Sequence, residues 1–98
     1  MKCAVSENAT RQMQAILDAE EDKDLKFRVF IAHSHGDHVH YGLGLDYVKE
    51  ADGVVVTESG LEILLEQGQK FLDGVEIDYN PEEDQWSVTH PDMGHTHH

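Results

Sequence analysis

The sequence predicts a single α+β domain, with one N-terminal helix and a mixed or antiparallel sheet that folds over on itself. Three observations support this class. The chain has 98 residues and 39% apolar residues, enough for one modest core but not for a second domain. Helical periodicity of any length occurs only near the N-terminus, and short β-type segments follow it. These segments are not separated by helices of crossover length, which argues against a doubly wound parallel sheet.

The N-terminal segment predicts an amphipathic helix over residues 6–20. Ser6 or Asn8 can cap its first turn through a side-chain oxygen. Apolar residues then recur at helical spacing, with polar residues on the other side. The apolar set is Ala9, Met13, Ile16 and Leu17. Residues 20–24 have no apolar face and predict a solvated loop.

Up to six short segments then predict strands. Residues 25–31 alternate and then become wholly apolar, as in a strand that is buried first on one face and later on both. Residues 39–47 alternate large apolar residues with Gly42 and Gly44, and glycine within a strand often marks close approach of another group. The remaining strand candidates are 54–57, 61–65, 75–79 and 86–89. Residues 61–65 fit a helix equally well, and residues 67–72 predict a short helix.

The charge of the chain excludes several classes of partner. Acidic residues outnumber basic ones by 20 to 7, for a formal net charge of −13. Protonation of all eight histidines would still leave −5 (−13 + 8). Phosphate backbones and anionic lipid surfaces would repel such a chain, so we expect no nucleic-acid and no membrane binding. An attraction for metal cations fits this charge.

The single cysteine, Cys3, permits no intramolecular disulfide, which favours a reducing compartment. The N-terminus lacks the apolar run of a signal peptide. Every apolar run is far shorter than the roughly 20 residues needed to span a bilayer. We therefore expect a soluble, cytoplasmic protein.

The eight histidines fall into two clusters, one at residues 33–40 and one in the last nine residues. Alternate residues of a strand share a face, so the first cluster should present its rings in two pairs, brought round one centre by a turn at Gly36-Asp37. Imidazole suits Zn(II), Ni(II), Cu(II) or Fe(II). The candidate metal ligands are His33, His35, His38, His40, His95 and His97. A solvated loop without metal and an unliganded tail are the alternatives.

One short motif favours an enzyme. His33, His35, Asp37 and His38 form an H-x-H-x-D-H pattern that resembles the metal-binding signature of the metallo-β-lactamase hydrolases. Clustered imidazoles and a carboxylate can hold two metals and generate a bound hydroxide. Those enzymes resemble a much longer, four-layer αββα sandwich, and this chain has no helical layers to cover two sheets. A minimal metallohydrolase is therefore only an alternative hypothesis.

Read as a whole, the chain resembles the HesB/IscA family, the A-type iron–sulfur cluster assembly proteins. The most specific match is F-L-D-G-V-E-I-D-Y at residues 71–79, against a family pattern of L-D-G-x-x-I-D-[YF]. An aromatic strand around Trp86 and the turn His90-Pro91-Asp92 follow in family order. His90 takes the place of a turn asparagine, so we expect it to be structural. The match spans about residues 4–92.

The resemblance implies a compact, mixed β-sandwich or barrel-like domain over residues 1–92, followed by a histidine-rich tail at 93–98. It implies a non-enzymatic protein that works with iron–sulfur assembly proteins and that forms a homodimer or larger assembly. It also implies iron or an iron–sulfur cluster held by three cysteines. All three are absent here: the first position aligns with Gly36, and the later pair falls near His95-Thr96-His97.

The main hypothesis is thus a HesB-like protein that binds Fe, Zn or Ni through imidazoles where the family uses thiolates. An iron–sulfur cluster follows only from the resemblance. The second hypothesis is a family member that has lost its cluster and acts as a partner-binding or regulatory domain.

Overall fold

A computed structural model describes residues 1–36 and 38–92 of the chain. Within these ranges it contains one helix and seven strands, which confirms the α+β class. In chain order the elements are β1 (Cys3–Val5), α1 (Glu7–Ala19), β2 (Lys26–His35), β3 (His38–Asp46), β4 (Asp52–Val56), β5 (Glu62–Glu66), β6 (Val75–Asn80) and β7 (Gln85–Thr89).

The strands form two mixed sheets. One has four strands in the order β3-β2-β5-β4, and the other has three in the order β1-β6-β7. The pairs β2–β5 and β1–β6 are parallel, while the remaining neighbours are antiparallel. The two sheets do not close into a barrel, so the fold takes the sandwich-like form of the prediction.

The predicted N-terminal helix is confirmed, and Ser6 rather than Asn8 is its cap. The Ser6 hydroxyl accepts a hydrogen bond from the Ala9 amide at 3.1 Å, which satisfies one of the free donors of the first turn. The helix packs against β6 and buries Ala9 and Met13 completely. Its other face, which carries Arg11 and Asp18, is exposed.

The core lies between the sheets and beneath α1. In β6, Val75, Ile77 and Tyr79 point inward, while the acidic residues between them point to solvent. In β5, three consecutive residues, 63–65, are fully buried. Ile63 and Leu65 belong to the core cluster, whereas Leu64 lies on the opposite face, in the row of Arg28 and Val54. The ambiguous segment 61–65 is therefore a strand.

One prediction about local structure was wrong, and one strand was not predicted. Residues 67–72 form turns instead of a helix, because Gly68 takes a φ of 87°, outside the helical region. Strand β1 was missed, since three residues are too few to show a period. It pairs in parallel with β6 over Cys3–Val5. Burial raises the pKa of the Cys3 thiol there to about 11.

Within the part of the chain that the structure describes, no helix is long and apolar enough to cross a membrane. The one helix there, α1, has 13 residues and a largely polar outer face.

Candidate functional site

The candidate site is a hairpin formed by β2 and β3. Strand β2 pairs with β5 only through Phe27–Val29. Beyond that point its residues 30–35 run on with β3 as a two-stranded ribbon, and Gly36, with a φ of 60°, lies in the turn at the tip. The first histidine cluster thus lies on strands rather than in a loop. Asp37, the carboxylate of the enzyme-like motif, lies outside the described residues.

All four hairpin histidines belong to one face. His33 lies opposite His40, and His35 lies opposite His38. Opposed residues of an antiparallel pair project to the same side, and so do alternate residues of one strand. The register therefore brings the two predicted pairs together as two adjacent rows.

A β-bulge is the reason for this arrangement. Up to Ile31, which lies opposite Tyr41, the odd-numbered residues of β2 point to the core. The register then shifts by one between Ile31 and His33, so Ala32 is an extra residue on β2. After the shift, the odd-numbered residues of β2 point outward. In a regular ladder His33 would lie opposite Val39 and would face inward.

The imidazole rings lie near one another but do not converge on one point. The ring centroids of His33 and His40 are 5.9 Å apart, and those of His33 and His35 are 6.4 Å apart with nearly parallel planes. Two imidazoles on one metal ion would have centroids about 5 Å apart, given metal–nitrogen bonds of about 2.0–2.1 Å. Of these two pairs, His33 and His40 lie nearer to that spacing. All four side chains are exposed.

The ribbon therefore offers donors in pairs. Nowhere in residues 1–36 and 38–92 do three or more His, Cys, Asp or Glu side chains form a group that could hold a metal ion as they stand. A tetrahedral ion takes four donors. As it stands, the described hairpin supplies only part of a coordination shell.

The opposite face of the ribbon is attached to the turn region 67–74. On this face of the ribbon, the side chains of Ile31, Val39 and Tyr41 point toward the domain. The Tyr41 hydroxyl donates a hydrogen bond to the Phe71 carbonyl at 2.7 Å, and burial raises the pKa of Tyr41. A groove of about 600 Å³ lies between the ribbon and this turn region, and its lining includes Ser34, Val39 and Phe71 together with the outward-facing Arg28 and Phe30.

Replacing Tyr41 by phenylalanine is expected to destabilise the protein by about 1 kcal/mol, because the Phe71 carbonyl loses its donor. Amide hydrogen exchange in β2 and β3 should also accelerate, since the ribbon loses an attachment. Denaturant titration and exchange mass spectrometry would measure the two effects. Tyr47→Phe is the matched control, because the exposed Tyr47 hydroxyl bonds to Asp22 at the surface. Equal effects of both variants would contradict the assigned role of Tyr41.

An ion-pair network that local sequence patterns do not reveal fixes the base of the hairpin. Arg28, on the histidine-bearing face, donates to Asp52 through two nitrogens at 2.6 and 2.5 Å and to Asp46 at 2.9 Å. The side chains of Arg28 and Asp52 are only 13% and 2% exposed. The Arg28 hydrogen bonds hold the pKa of Asp52 below its usual value. The network joins β3 and β4 to β2.

The tail candidates His95 and His97 lie outside the described residues, as does His98. The last described histidine, His90, is 7% exposed and structural. Its Nδ1 accepts from the Asp92 amide at 3.1 Å, so Nε2 carries the proton and donates to the Asp73 carbonyl at 2.6 Å. A side chain at Gly74 would begin 3.2 Å from that nitrogen, and the φ of 101° there also requires glycine.

No family model matches the chain. Several known proteins are nevertheless similar to it in sequence. The iron–sulfur cluster insertion protein ErpA of Marinobacter nauticus is 31% identical over 75 residues, which cover 76% of this chain and 68% of that protein. A putative ErpA of Nitrosospira multiformis is 30% identical over 94 residues, covering 93% and 74%. A third, from Thiobacillus denitrificans, is 30% identical over 76 residues, covering 76% and 66%.

Proposed function

Because the chain belongs to the HesB/IscA family of iron–sulfur cluster assembly proteins, we propose that it is a non-catalytic metal carrier whose histidine hairpin binds the ion. It would act in the cytoplasm, in or beside iron–sulfur cluster assembly, together with other assembly proteins. The relatives are named for inserting clusters rather than for a reaction, which favours a carrier over the hydrolase.

One observation carries this proposal. The register of β2 and β3 assigns His33, His35, His38 and His40 to a single exposed face, where ring nitrogens are open to an incoming ion. The net charge of −13 attracts cations to the chain. Nitrogen donors of this kind suit Fe, Zn or Ni, and the family relationship favours iron among them.

Ligation through sulfur has little support in this chain. Its one cysteine, Cys3, lies on β1, in the other sheet from the hairpin. Burial raises the pKa of this thiol to about 11, so the thiolate that metals require is disfavoured. An iron–sulfur cluster would therefore need cysteines from a partner protein.

The remaining coordination positions of the ion could be filled from the tail or from another protein chain. His95 and His97 are the tail candidates. The last described residue, Asp92, is hydrogen-bonded to His90, which in turn bonds to Asp73 in the turn region. In the same turn region, the Phe71 carbonyl accepts a hydrogen bond from Tyr41, the neighbour of His40 on the hairpin.

The test is metal titration of the metal-free protein with Zn(II), Ni(II) and, anaerobically, Fe(II). The double variant His33→Ala/His40→Ala should bind at least about tenfold more weakly, since two ligands are lost. Binding should also weaken as the pH falls, because protons compete for the ring nitrogens. Ser34→Ala is the matched control, since Ser34 lies between two of the histidines and faces the other way.

Insertion of one alanine between His40 and Tyr41 provides an independent test that keeps every histidine. The inserted residue would pair with Ala32, restore a regular ladder and turn all four histidines to the face that points toward the domain. Metal affinity should fall about as far as in the double variant. Unchanged binding in both variants would mean that the hairpin is not the metal site. Association with assembly proteins that is indifferent to chelators would then favour a partner-binding role.

A further inference from the structure

Strand β1 is an edge strand of the three-stranded sheet. It pairs with β6 on one side, and among the residues that the structure describes no strand lies beyond it. Lys2 and Ser6 form backbone hydrogen bonds to the β6 side, at 2.8 and 2.9 Å. Because the direction of the backbone groups alternates along a strand, the N–H and C=O groups of Cys3 and Val5 point away from the sheet. Such an edge is a template for a further extended segment.

A groove of about 750 Å³ follows this edge. Residues 2–5 form one wall. Gly74 and Pro91 lie at the end where β1 begins, and Glu7 and Thr10 of α1 lie at the end where β1 stops. The turn at 57–59, which precedes β5, supplies a further part of the lining.

We propose that this groove binds residues 93–98 of the same chain, as an extended segment added to the edge of β1. The inference goes beyond the proposed function, because it concerns the metal-free protein and does not require the hairpin to bind an ion. It gives the histidine-rich tail a docking surface of its own.

The path of the chain up to Asp92 is the first argument. After β7, the His90 ring bonds to the Asp73 carbonyl at 2.6 Å, and the Lys2 amide donates to the carboxylate of the same Asp73 at 2.8 Å. Pro91 then lines the groove together with Lys2. The chain thus crosses the start of β6 and arrives at the start of β1 immediately before the tail.

The length of the tail is the second argument. Strand β1 has three residues, which extend over about 10 Å. Six extended residues span up to about 20 Å, so the tail is long enough to cover the whole edge. A segment that enters beside Lys2 and continues toward Val5 runs in the direction of β1, and it would therefore add as a parallel strand.

Charge is the third argument. Three glutamates, Glu7, Glu58 and Glu76, line the groove, against the single lysine Lys2. Residues 93–98 contain three histidines and no acidic residue. Imidazole N–H groups donate hydrogen bonds to carboxylates, whereas an acidic segment would be repelled from this groove.

A docked tail would keep His95 and His97 away from the hairpin. The turn at 57–59 lies before the start of β5, and the hairpin tip lies beyond the end of β2, which runs parallel to β5. The groove and the tip are therefore at opposite ends of the four-stranded sheet. Docking in the groove would compete with any use of these two imidazoles as ligands at the hairpin.

Amide hydrogen exchange, followed by NMR on the full chain in excess chelator, tests the inference. The amides of Cys3 and Val5 should be protected although they point away from their own sheet. The double variant His95→Pro/Thr96→Pro removes two neighbouring N–H groups, one of which faces β1 in either register. Exchange at Cys3 and Val5 should then accelerate at least about tenfold. Exchange at Ala4, whose amide faces β6, should stay unchanged.

His95→Ala/Thr96→Ala is the matched control, because it changes the same positions but keeps both N–H groups. It should retain most of the protection. Equal exchange at Cys3 and Val5 in all three proteins, whether fast or slow, would overturn the inference. Protection that increases with protein concentration would assign the edge to a second copy of the chain and would also overturn it. Acceleration at Ala4 in the proline variant would count against docking, since β1 itself would then have detached.

Discussion

Replacing Arg28 by methionine is expected to lower the free energy of unfolding by roughly 3 kcal/mol. Methionine keeps much of the side-chain volume but leaves Asp52, whose side chain is 2% exposed, as a buried carboxylate without its cation. The loss would be a large share of a total stability that is typically about 5–15 kcal/mol. Urea titration of both proteins at neutral pH would measure it.

A double variant distinguishes this mechanism from simple loss of packing. Adding Asp52→Asn to Arg28→Met removes the stranded charge and should recover part of the lost stability, as a double-mutant cycle would show. No recovery in the double variant would contradict the assignment of the cost to an unpaired buried charge.

The same variant should change the response to acid. The Arg28 hydrogen bonds lower the pKa of Asp52 in the folded protein. In the unfolded chain the pKa of an aspartate is about 3.9. A carboxyl group with a lower pKa in the folded protein stabilises the fold above that pH. This stabilisation is lost as the pH falls through the pKa of the folded protein. The difference in stability between wild type and Arg28→Met should therefore be fully present above about pH 4 and should shrink as the pH falls through the lowered pKa of Asp52.

Replacing Leu65 by alanine is expected to destabilise the protein by about 3 kcal/mol. Leu65 is fully buried, lies opposite Val29 and Gly53 on the central strand β5, and belongs to the core cluster. Truncation removes apolar contact and leaves a cavity that two flanking strands cannot collapse to fill. The melting temperature should fall by about 15 °C for a domain of this size.

Val56→Ala is the control for this prediction. It truncates a residue that is 63% exposed on the adjacent strand, so its effect should stay within about 0.5 kcal/mol. Similar losses at the two positions would contradict the assignment of Leu65 to the core.

Local patterns predicted the elements whose period extends over several residues. The spacing of Ala9 and Met13 revealed the helix, and the alternation of Val75, Ile77 and Tyr79 revealed β6. The three-residue strand β1 showed no such period. The turns at 67–72 were not predicted either, because the composition of this segment suits a helix. Only the positive φ of Gly68 rules out a helix there.

Local sequence patterns predicted only part of the candidate site. The clustering of histidines and their pairing along each strand follow from the sequence spacing. Which face each pair occupies does not follow, because one extra residue in a ladder reverses the alternation that comes after it. Arg28 also looked like an ordinary alternating strand residue, since its partners Asp46 and Asp52 lie 18 and 24 residues away.

By itself the sequence determined the class of fold, through composition and short-range periodicity, and the chemistry of the candidate donors, through residue type. The family resemblance rests on the motif at residues 71–79. The tertiary structure alone decided that four imidazoles share one exposed face beside Phe30. That outcome depends on the bulge at Ala32 and on the pairing of β2 with β3, which local propensity does not specify. Strand register is a cooperative property of two segments and of the core that they cover.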